Sequence, residues 1–231
     1  MYNITDLLLL EKYDMKTFIE PLILYWVLFL RVSTGSVLPD GPVEFSATAE
    51  VARIVLYSVP SLLLVWYLML KAKGLQEWGI TAIKRKDGIS AGLAFPALFL
   101  IGLTISLISP HVSEIPAAPR FLPPETALSW GILALSCTVS AYLEESYFRV
   151  YLLSKREEMG LGTYRAVLVS ALMFAVCHAY EGPWGFLNSA LSGTLLAFIY
   201  LRFRSLHGIA VAHALYNMVA YALNALPATP A

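Results

Sequence analysis

The sequence predicts an all-α integral membrane protein, a polytopic bundle of transmembrane helices. Hydrophobic residues make up 58% of its 231 residues and charged residues only 14%, against about 45–50% and about 25% in ordinary globular domains. Sixteen Lys and Arg are balanced by sixteen Asp and Glu, which argues against nucleic acid as a partner. We therefore expect a single integral membrane domain over residues 1–231, with membrane lipids as its surroundings.

Seven apolar segments approach or exceed the length of about 20 helical residues that a bilayer crossing takes. They are residues 17–38, 51–70, 89–109, 126–153, 164–180, 183–203 and 208–226. Prolines within or near the ends of the first three segments are tolerated in membrane helices. A short apolar patch at residues 7–10 suits an interfacial N-terminal helix, which makes seven an approximate number of spans.

Basic residues mark one side of the predicted bundle, in the connections after the second, fourth and sixth segments. These residues are Lys71, Lys73, Lys84, Arg85, Lys86, Lys155, Arg156, Arg165, Arg202 and Arg204. The alternate connections contain mainly acidic residues, namely Asp40, Glu44, Glu50, Glu114, Glu125 and Glu181. The positive-inside rule then predicts a cytoplasmic N-terminus and an outside C-terminus. We expect this orientation in a bacterial or archaeal cell membrane.

Three charged residues interrupt the fourth segment, whereas every Asp lies outside the apolar segments. A charge near the bilayer centre costs about 2.5–3.5 kcal/mol on insertion scales, so such residues are candidates for function. Glu145 and Arg149 have i,i+4 spacing with the acid first, which favours an ion pair within the helix, and a purely structural role explains them. Glu144 has no charged residue at i+3 or i+4, so it needs a partner from another helix.

Two histidines in later segments can supply that partner. His178 lies in the fifth segment and His213 in the seventh, with Asn217 at i+4 from His213 and therefore on the same face. Each histidine alone is also compatible with a hydrogen-bonded packing role. Counted from the basic ends of their helices, Glu144, His178 and His213 lie roughly 16, 20 and 14 Å deep at 1.5 Å per residue. This similar depth favours a shared site.

Such a site has the groups needed to hydrolyse an amide with water as the nucleophile. A buried carboxylate beside a histidine takes a proton from water near neutral pH, which assigns Glu144 and His178 as the base. A histidine and an amide donate hydrogen bonds to a developing oxyanion, which is the role predicted for His213 and Asn217. The sequence contains neither His-Glu-x-x-His nor Gly-x-Ser-x-Gly, the signatures of zinc proteases and of serine hydrolases.

The sequence leaves other interpretations open. Glu144, His178 and His213 form a two-histidine, one-carboxylate set that suits a divalent metal such as catalytic zinc. Asn217 fits an oxyanion donor better than a metal ligand, which favours a site without a cofactor. A proton-coupled transporter also uses buried polar residues, although the sequence has no internal repeat of the kind many carriers show. In a non-catalytic membrane scaffold, the same side chains would only pack.

The polar residues form three ordered motifs in successive apolar segments. They are Glu144-Glu145-x-x-x-Arg149, Phe174-x-x-x-His178 and His213-x-x-x-Asn217. Together they resemble the CAAX protease and bacteriocin-processing family, also called CPBP or Abi, which includes the Rce1-type prenyl-protein endopeptidases. The resemblance covers about residues 130–217, and the front half of the chain matches no motif of the family.

The resemblance implies an intramembrane endopeptidase of glutamic or metallo type, with a four-helix catalytic core at residues 126–226. By it, Glu144 and His178 activate the water, and His213 and Asn217 form the oxyanion hole. Glu145, Arg149 and Phe174 complete the motifs as supporting residues. The substrate implied is a protein or peptide that can carry a lipid, since members of the family cleave prenylated C-terminal tails, process peptide leaders or protect against bacteriocins.

Overall fold

The computed structural model describes residues 16–30, 43–109 and 122–224, and this part of the chain is all-α, as predicted. The helices in these ranges are α1 (Lys16–Tyr25, continued by a π-helical turn, Trp26–Leu30), α2 (Ala47–Ala72), α3 (Arg85–Ile108), α4 (Ala127–Ser154), α5 (Thr163–Cys177), α6 (Gly182–Phe203) and α7 (Leu206–Asn224). Each corresponds to one of the seven predicted segments. The predicted interfacial helix around residues 7–10 lies outside the described residues.

The helices have the length and composition of membrane spans. By these criteria α2, α3, α4 and α7 can each cross a membrane, as can α6 with the turn before it, whereas α1 and α5 are apolar but shorter. The protein is therefore an integral membrane protein with a polytopic helix bundle. The fifth predicted segment ends three residues early, because His178 leaves the α-helical conformation (φ −102°, ψ 8°) and the 3-10 turn Ala179–Glu181 follows.

The packing of the bundle places α7 against both α3 and α4, α6 against α5 and α3, and α2 against α4. Hydrogen bonds to carbonyl oxygens join α1 to the rest of the bundle. The Tyr25 hydroxyl donates to Met173 O of α5 at 2.8 Å, and the Tyr147 hydroxyl of α4 donates to Pro21 O at 2.6 Å. Pro21, inside α1, leaves this helix intact, as membrane helices commonly allow.

Two glycines leave room for close contacts between α3 and α7. A Cβ atom on Gly208 of α7 would clash with Ser90 Oγ and with the backbone oxygen of Asp87 in α3. Further along, a Cβ atom on Gly102 of α3 would lie 2.5 Å from the hydroxyl oxygen of Tyr216 in α7. Small residues at such contacts let membrane helices approach closely, so α3 and α7 are in contact at two levels.

A π-helical turn, Ser146–Tyr151, follows Glu144 and Glu145 directly within α4, and all six of its residues are buried. Two side chains from neighbouring helices bond to it. The Ser170 hydroxyl of α5 donates to Phe148 O at 2.8 Å, and the Trp66 indole of α2 donates to Ser146 Oγ at 2.9 Å. π-Helical turns occur often at functional sites, and this one lies beside the charged residues that the sequence singles out.

Contacts between connections define a basic end of the bundle. Lys86 Nζ donates to the backbone oxygen of Arg204 at 2.5 Å. Lys155, just after α4, forms an ion pair with Glu20 at the start of α1, at 3.1 Å. At the opposite end, Leu122 N donates to Val43 O at 2.8 Å. The connections that the sequence predicts to share one side of the membrane thus lie at one end.

Candidate active site

A cavity of about 260 Å³ lies within the bundle, lined by residues of α2, α4, α5, α6 and α7, with one contact from α3. Glu144, His178, His213 and Asn217 all line it, as does Phe174. The structure thus brings together the four residues that the sequence proposes as catalytic, from α4, from the end of α5 and from α7. Of the three supporting residues, Phe174 is in the cavity wall, whereas Glu145 and Arg149 are not among the residues that line it.

The imidazole of His213 lies between two carboxylates that are consecutive in α4. Its Nδ1 is 2.8 Å from Glu145 Oε1, and its Nε2 is 3.7 Å from Glu144 Oε2. A carboxylate only accepts hydrogen bonds, so Nδ1 carries a proton and donates a hydrogen bond to Glu145. The Glu145 side chain is fully buried and that of His213 is 7% exposed, whereas Glu144 is 20% exposed. Glu144 therefore faces the cavity, and Glu145 bonds to the imidazole of His213 on the side away from the cavity.

Glu145 also pairs with Arg149, at 3.1 Å between Oε2 and Nε, and both side chains are fully buried. The ion pair predicted from their i,i+4 spacing is therefore present. The guanidinium lies over the Phe174 ring, 4.4 Å from its centroid, an arrangement that a cation and an aromatic face favour. A Cβ on Gly193 of α6 would lie 3.2 Å from Arg149 Nη2, so this glycine leaves room for the guanidinium.

His178 is fixed by its own helix. Its Nδ1 donates to the backbone oxygen of Phe174 at 2.8 Å, and the two rings are 4.5 Å apart. The two residues of the Phe174-x-x-x-His178 motif thus contact each other, and the hydrogen bond between them uses Nδ1 of the histidine and not Nε2. Among the described residues, His213 rather than His178 is in direct contact with Glu144. The pairing of Glu144 with His178 through a water stays a prediction.

Arg53, in the front half of the chain, also lines the cavity, and sequence reasoning missed it. Its guanidinium pairs with Glu50 at 2.7 Å and donates to Ser140 at 3.0 Å and to Ser136, two hydroxyls of α4. Ser136 in turn donates to Glu50 at 2.5 Å. The i,i+3 spacing of a glutamate and an arginine at the edge of the second segment was the available signal. Through this network α2 contributes a cation to the cavity.

Other polar groups in the cavity wall come from α6 and from the turn before it. Asn188 accepts a hydrogen bond from the Tyr216 hydroxyl through its Oδ1, at 3.2 Å. Tyr180 and Glu181 reach the cavity from the turn between α5 and α6. Single polar residues in apolar segments gave no periodic signal, and therefore sequence reasoning did not select them.

The alternative with a metal concerns Glu144, His178 and His213, which all line the cavity. Within residues 16–30, 43–109 and 122–224, no three His, Cys, Asp or Glu side chains are grouped so that they could hold a metal ion. The Nδ1 atoms of His213 and His178 are both engaged, with Glu145 and with Phe174 O, so only the Nε2 atoms could serve as ligands. In the alternative ligand set, Glu144 and the Nε2 atoms of His178 and His213 would hold the metal, and this set stays a prediction.

The fold and the site define a polytopic helical membrane protein with carboxylate, imidazole and amide groups around a cavity inside the bundle. Residues 126–219, which contain all three motifs, match the family model described as Type II CAAX prenyl endopeptidase Rce1-like. This part of the chain is thus similar to the Rce1-like family, in agreement with the resemblance that the motifs indicated. No curated protein and no solved structure matches the chain.

At the level of the family, the match supports a CAAX-type endopeptidase of the membrane. A membrane peptidase implies lipid surroundings and a protein or peptide substrate. The matched range begins one residue before α4 and ends within α7. Arg53 and the rest of α2 lie outside it, so part of the cavity wall comes from a region without a family match.

Proposed function

We propose that the protein hydrolyses a peptide bond inside the membrane, with Glu144 as the base that activates a water molecule. One observation supports this most directly: Glu144, His178, His213 and Asn217 line one cavity although they come from three separate helices. Placing a carboxylate, two imidazoles and an amide in the bilayer interior costs free energy, and such residues are therefore candidates for function. The cavity also offers space for water beside the partly exposed Glu144.

The proposed reaction begins with a water molecule held between Glu144 and His178. Glu144 takes one proton of this water, and the oxygen of the water attacks the carbonyl carbon of the substrate. The C–N bond then breaks, and Glu144 returns the proton to the leaving amine, so water is divided between the new carboxyl and amino termini. Such proton transfer contributes about 10²–10⁴-fold to a rate.

The oxyanion that develops at the carbonyl oxygen needs donors, and we assign His213 and Asn217 to this role. Because Nδ1 of His213 already donates to Glu145, Nε2 is the atom that faces the cavity, and it donates when the ring carries both protons. Glu145 is then a positioning residue that orients the ring through Nδ1, as the buried carboxylate of a catalytic triad does. Arg149 balances Glu145 and holds it in place.

Two substrate chemistries fit this proposal, a prenylated CAAX-type tail and an unlipidated peptide such as a leader. The orientation we propose has the basic end in the cytoplasm, the N-terminus inside and the C-terminus outside. The proposed catalytic core spans residues 126–226, and α2 adds Arg53 to it. A glutamic mechanism without a cofactor is the type that we propose.

The test is the substitution Glu144→Gln, which keeps the side-chain shape and removes the base. Purified protein in detergent is incubated with a farnesylated Cys-aliphatic-aliphatic-X peptide and with an unlipidated peptide library, and the products are identified by mass spectrometry. We expect cleavage by the wild type and a loss of about 10²–10⁴-fold in the variant. The matched control is Glu157→Gln, because the side chain of Glu157 is 81% exposed just beyond the end of α4.

Full cleavage by Glu144→Gln would exclude the proposed base. If neither peptide set is cleaved, proton-coupled uptake into proteoliposomes is measured with the same two variants. Uptake that depends on Glu144 would favour the transporter. Equal behaviour of the wild type and the variant in both assays would favour the scaffold.

A further inference from the structure

The cavity is closed toward the basic end of the bundle. The π-helical turn Ser146–Tyr151 lies on that side of Glu144 and Glu145, and each of its residues is at most 1% exposed. On α7, Ile209 and Ala210 precede His213 and have no exposed surface, and Tyr200 of α6 is equally buried. A peptide that arrives from the basic end would therefore meet a tightly packed core before it reached Glu144.

The cavity extends toward the opposite end. Tyr180, which is 39% exposed, and Glu181 reach it from the turn between α5 and α6, and Tyr221 reaches it near the end of α7. Arg53 lines it from a position six residues after the start of α2, far from the basic end of that helix. The residues nearest the surface at this end are thus polar or aromatic and partly exposed.

The charges of the two ends differ in sign among the described residues. The connections after α2, α4 and α6 carry the basic residues named above, against the acidic residues Glu77, Asp87, Glu157 and Glu158. At the end where the cavity opens, the charged residues are Glu44, Glu50, Arg53, Glu125 and Glu181. By the positive-inside rule, the basic end is cytoplasmic and the cavity opens toward the other face of the membrane.

We propose that the cavity takes an unlipidated peptide segment that is presented from the non-cytoplasmic side of the membrane. This proposal rests on the proposed hydrolysis and narrows its substrate. Prenylation modifies the cytoplasmic C-terminal tail of a protein, and such a tail would have to pass the packed turn Ser146–Tyr151. A segment that enters between Tyr180 and Arg53 reaches Glu144 without crossing this turn.

The side of the opening is tested by cysteine labelling, which needs no turnover. Cys137 and Cys177 are the two native cysteines, and both are replaced by alanine. Single cysteines are then introduced as Glu181→Cys at the opening and Glu157→Cys at the basic end. In spheroplasts treated with a membrane-impermeant maleimide, we expect labelling of Glu181→Cys at once and of Glu157→Cys only after permeabilisation. The reverse pattern would overturn the proposal.

A second measurement tests the substrate. An internally quenched library of unlipidated peptides is added to right-side-out and to inside-out vesicles that contain the wild-type protein. We expect cleavage in right-side-out vesicles, at least ten-fold faster than in inside-out vesicles and absent with Glu144→Gln. Faster cleavage in inside-out vesicles would overturn the proposal and leave the hydrolysis intact. No cleavage in either, or in detergent, would overturn both the hydrolysis and the substrate, while the labelling would still report the side of the opening.

Discussion

The Nδ1 atom of His213 lies 2.8 Å from Glu145, the residue that precedes the π-helical turn of α4, while Nε2 lies 3.7 Å from Glu144. One imidazole therefore contacts two consecutive glutamates, one buried and one facing the cavity. This arrangement divides their tasks. The buried carboxylate of Glu145 orients the ring and pairs with Arg149, and the partly exposed carboxylate of Glu144 is available to a water molecule and a substrate.

The substitution Glu145→Gln should destabilise the protein strongly. The neutral amide would leave the buried Arg149 guanidinium without a counter-charge, and removing one partner of a buried ion pair costs about 3–5 kcal/mol. The pair has no exposed surface, so water does not compensate for the loss. Thermal unfolding in detergent, followed by circular dichroism, measures the effect.

The matched control for this variant is Arg156→Gln. Arg156 pairs with Glu157 at 2.8 Å, but Glu157 is 81% exposed, and surface ion pairs contribute about 0–1 kcal/mol. An unfolding temperature of Glu145→Gln equal to that of Arg156→Gln would contradict a structural role for the buried pair.

Replacing each of the two histidines by alanine should affect the stability of the protein differently but should lower its activity in both cases. His213→Ala removes the hydrogen-bond partner of the buried Glu145, which costs about 1–3 kcal/mol. His178→Ala removes a bond to a carbonyl of its own helix at a half-buried position, so its unfolding temperature should change little. Both variants should lose about 10²-fold or more in kcat if both act on the reacting groups. An active His178→Ala would show that this residue only packs.

Arg53 should matter for activity although it lies outside the segment that matches the family. Arg53→Gln removes the ion pair with Glu50 and the bonds to Ser136 and Ser140, and we expect a lower kcat/KM together with weaker packing of α2 on α4. Arg53→Lys keeps the charge but not the planar fork, so it should recover only part of kcat/KM. Kinetics of both variants with the cleaved peptide, beside Arg156→Gln as the control, test this, and full activity of Arg53→Gln would contradict it.

Removal of divalent metals should leave the activity unchanged. Within the residues that the structure describes, no three His, Cys, Asp or Glu side chains are grouped so that they could hold a metal ion. Dialysis against 1,10-phenanthroline and then EDTA, followed by the peptide assay, measures this. Loss of cleavage that zinc restores would contradict the metal-free mechanism and favour the two-histidine, one-carboxylate set.

Much of the fold is predictable because hydropathy alone identifies apolar helices. The predicted segments correspond to the helices α1 to α7 of the described residues, and the depth estimate already groups Glu144, His178 and His213 at one level. The sequence could not show that His213 contacts both glutamates, because this depends on how α7 packs against α4. It could not reveal Arg53 either, since only the tertiary structure brings the start of α2 to two serines of α4. The last residues of α5 differ because a 3-10 turn replaced the expected helix.

The close contacts at Gly208 and Gly102 restrict which parts of the bundle can move. Because α7 contacts α3 closely at both glycines, the helix that carries His213 and Asn217 has little freedom to slide or tilt. Any adjustment of the cavity to a bound substrate would then fall on the other walls, such as the start of α2 or the turn Ala179–Glu181. The two assigned oxyanion donors would therefore keep their positions relative to α3 when a substrate binds.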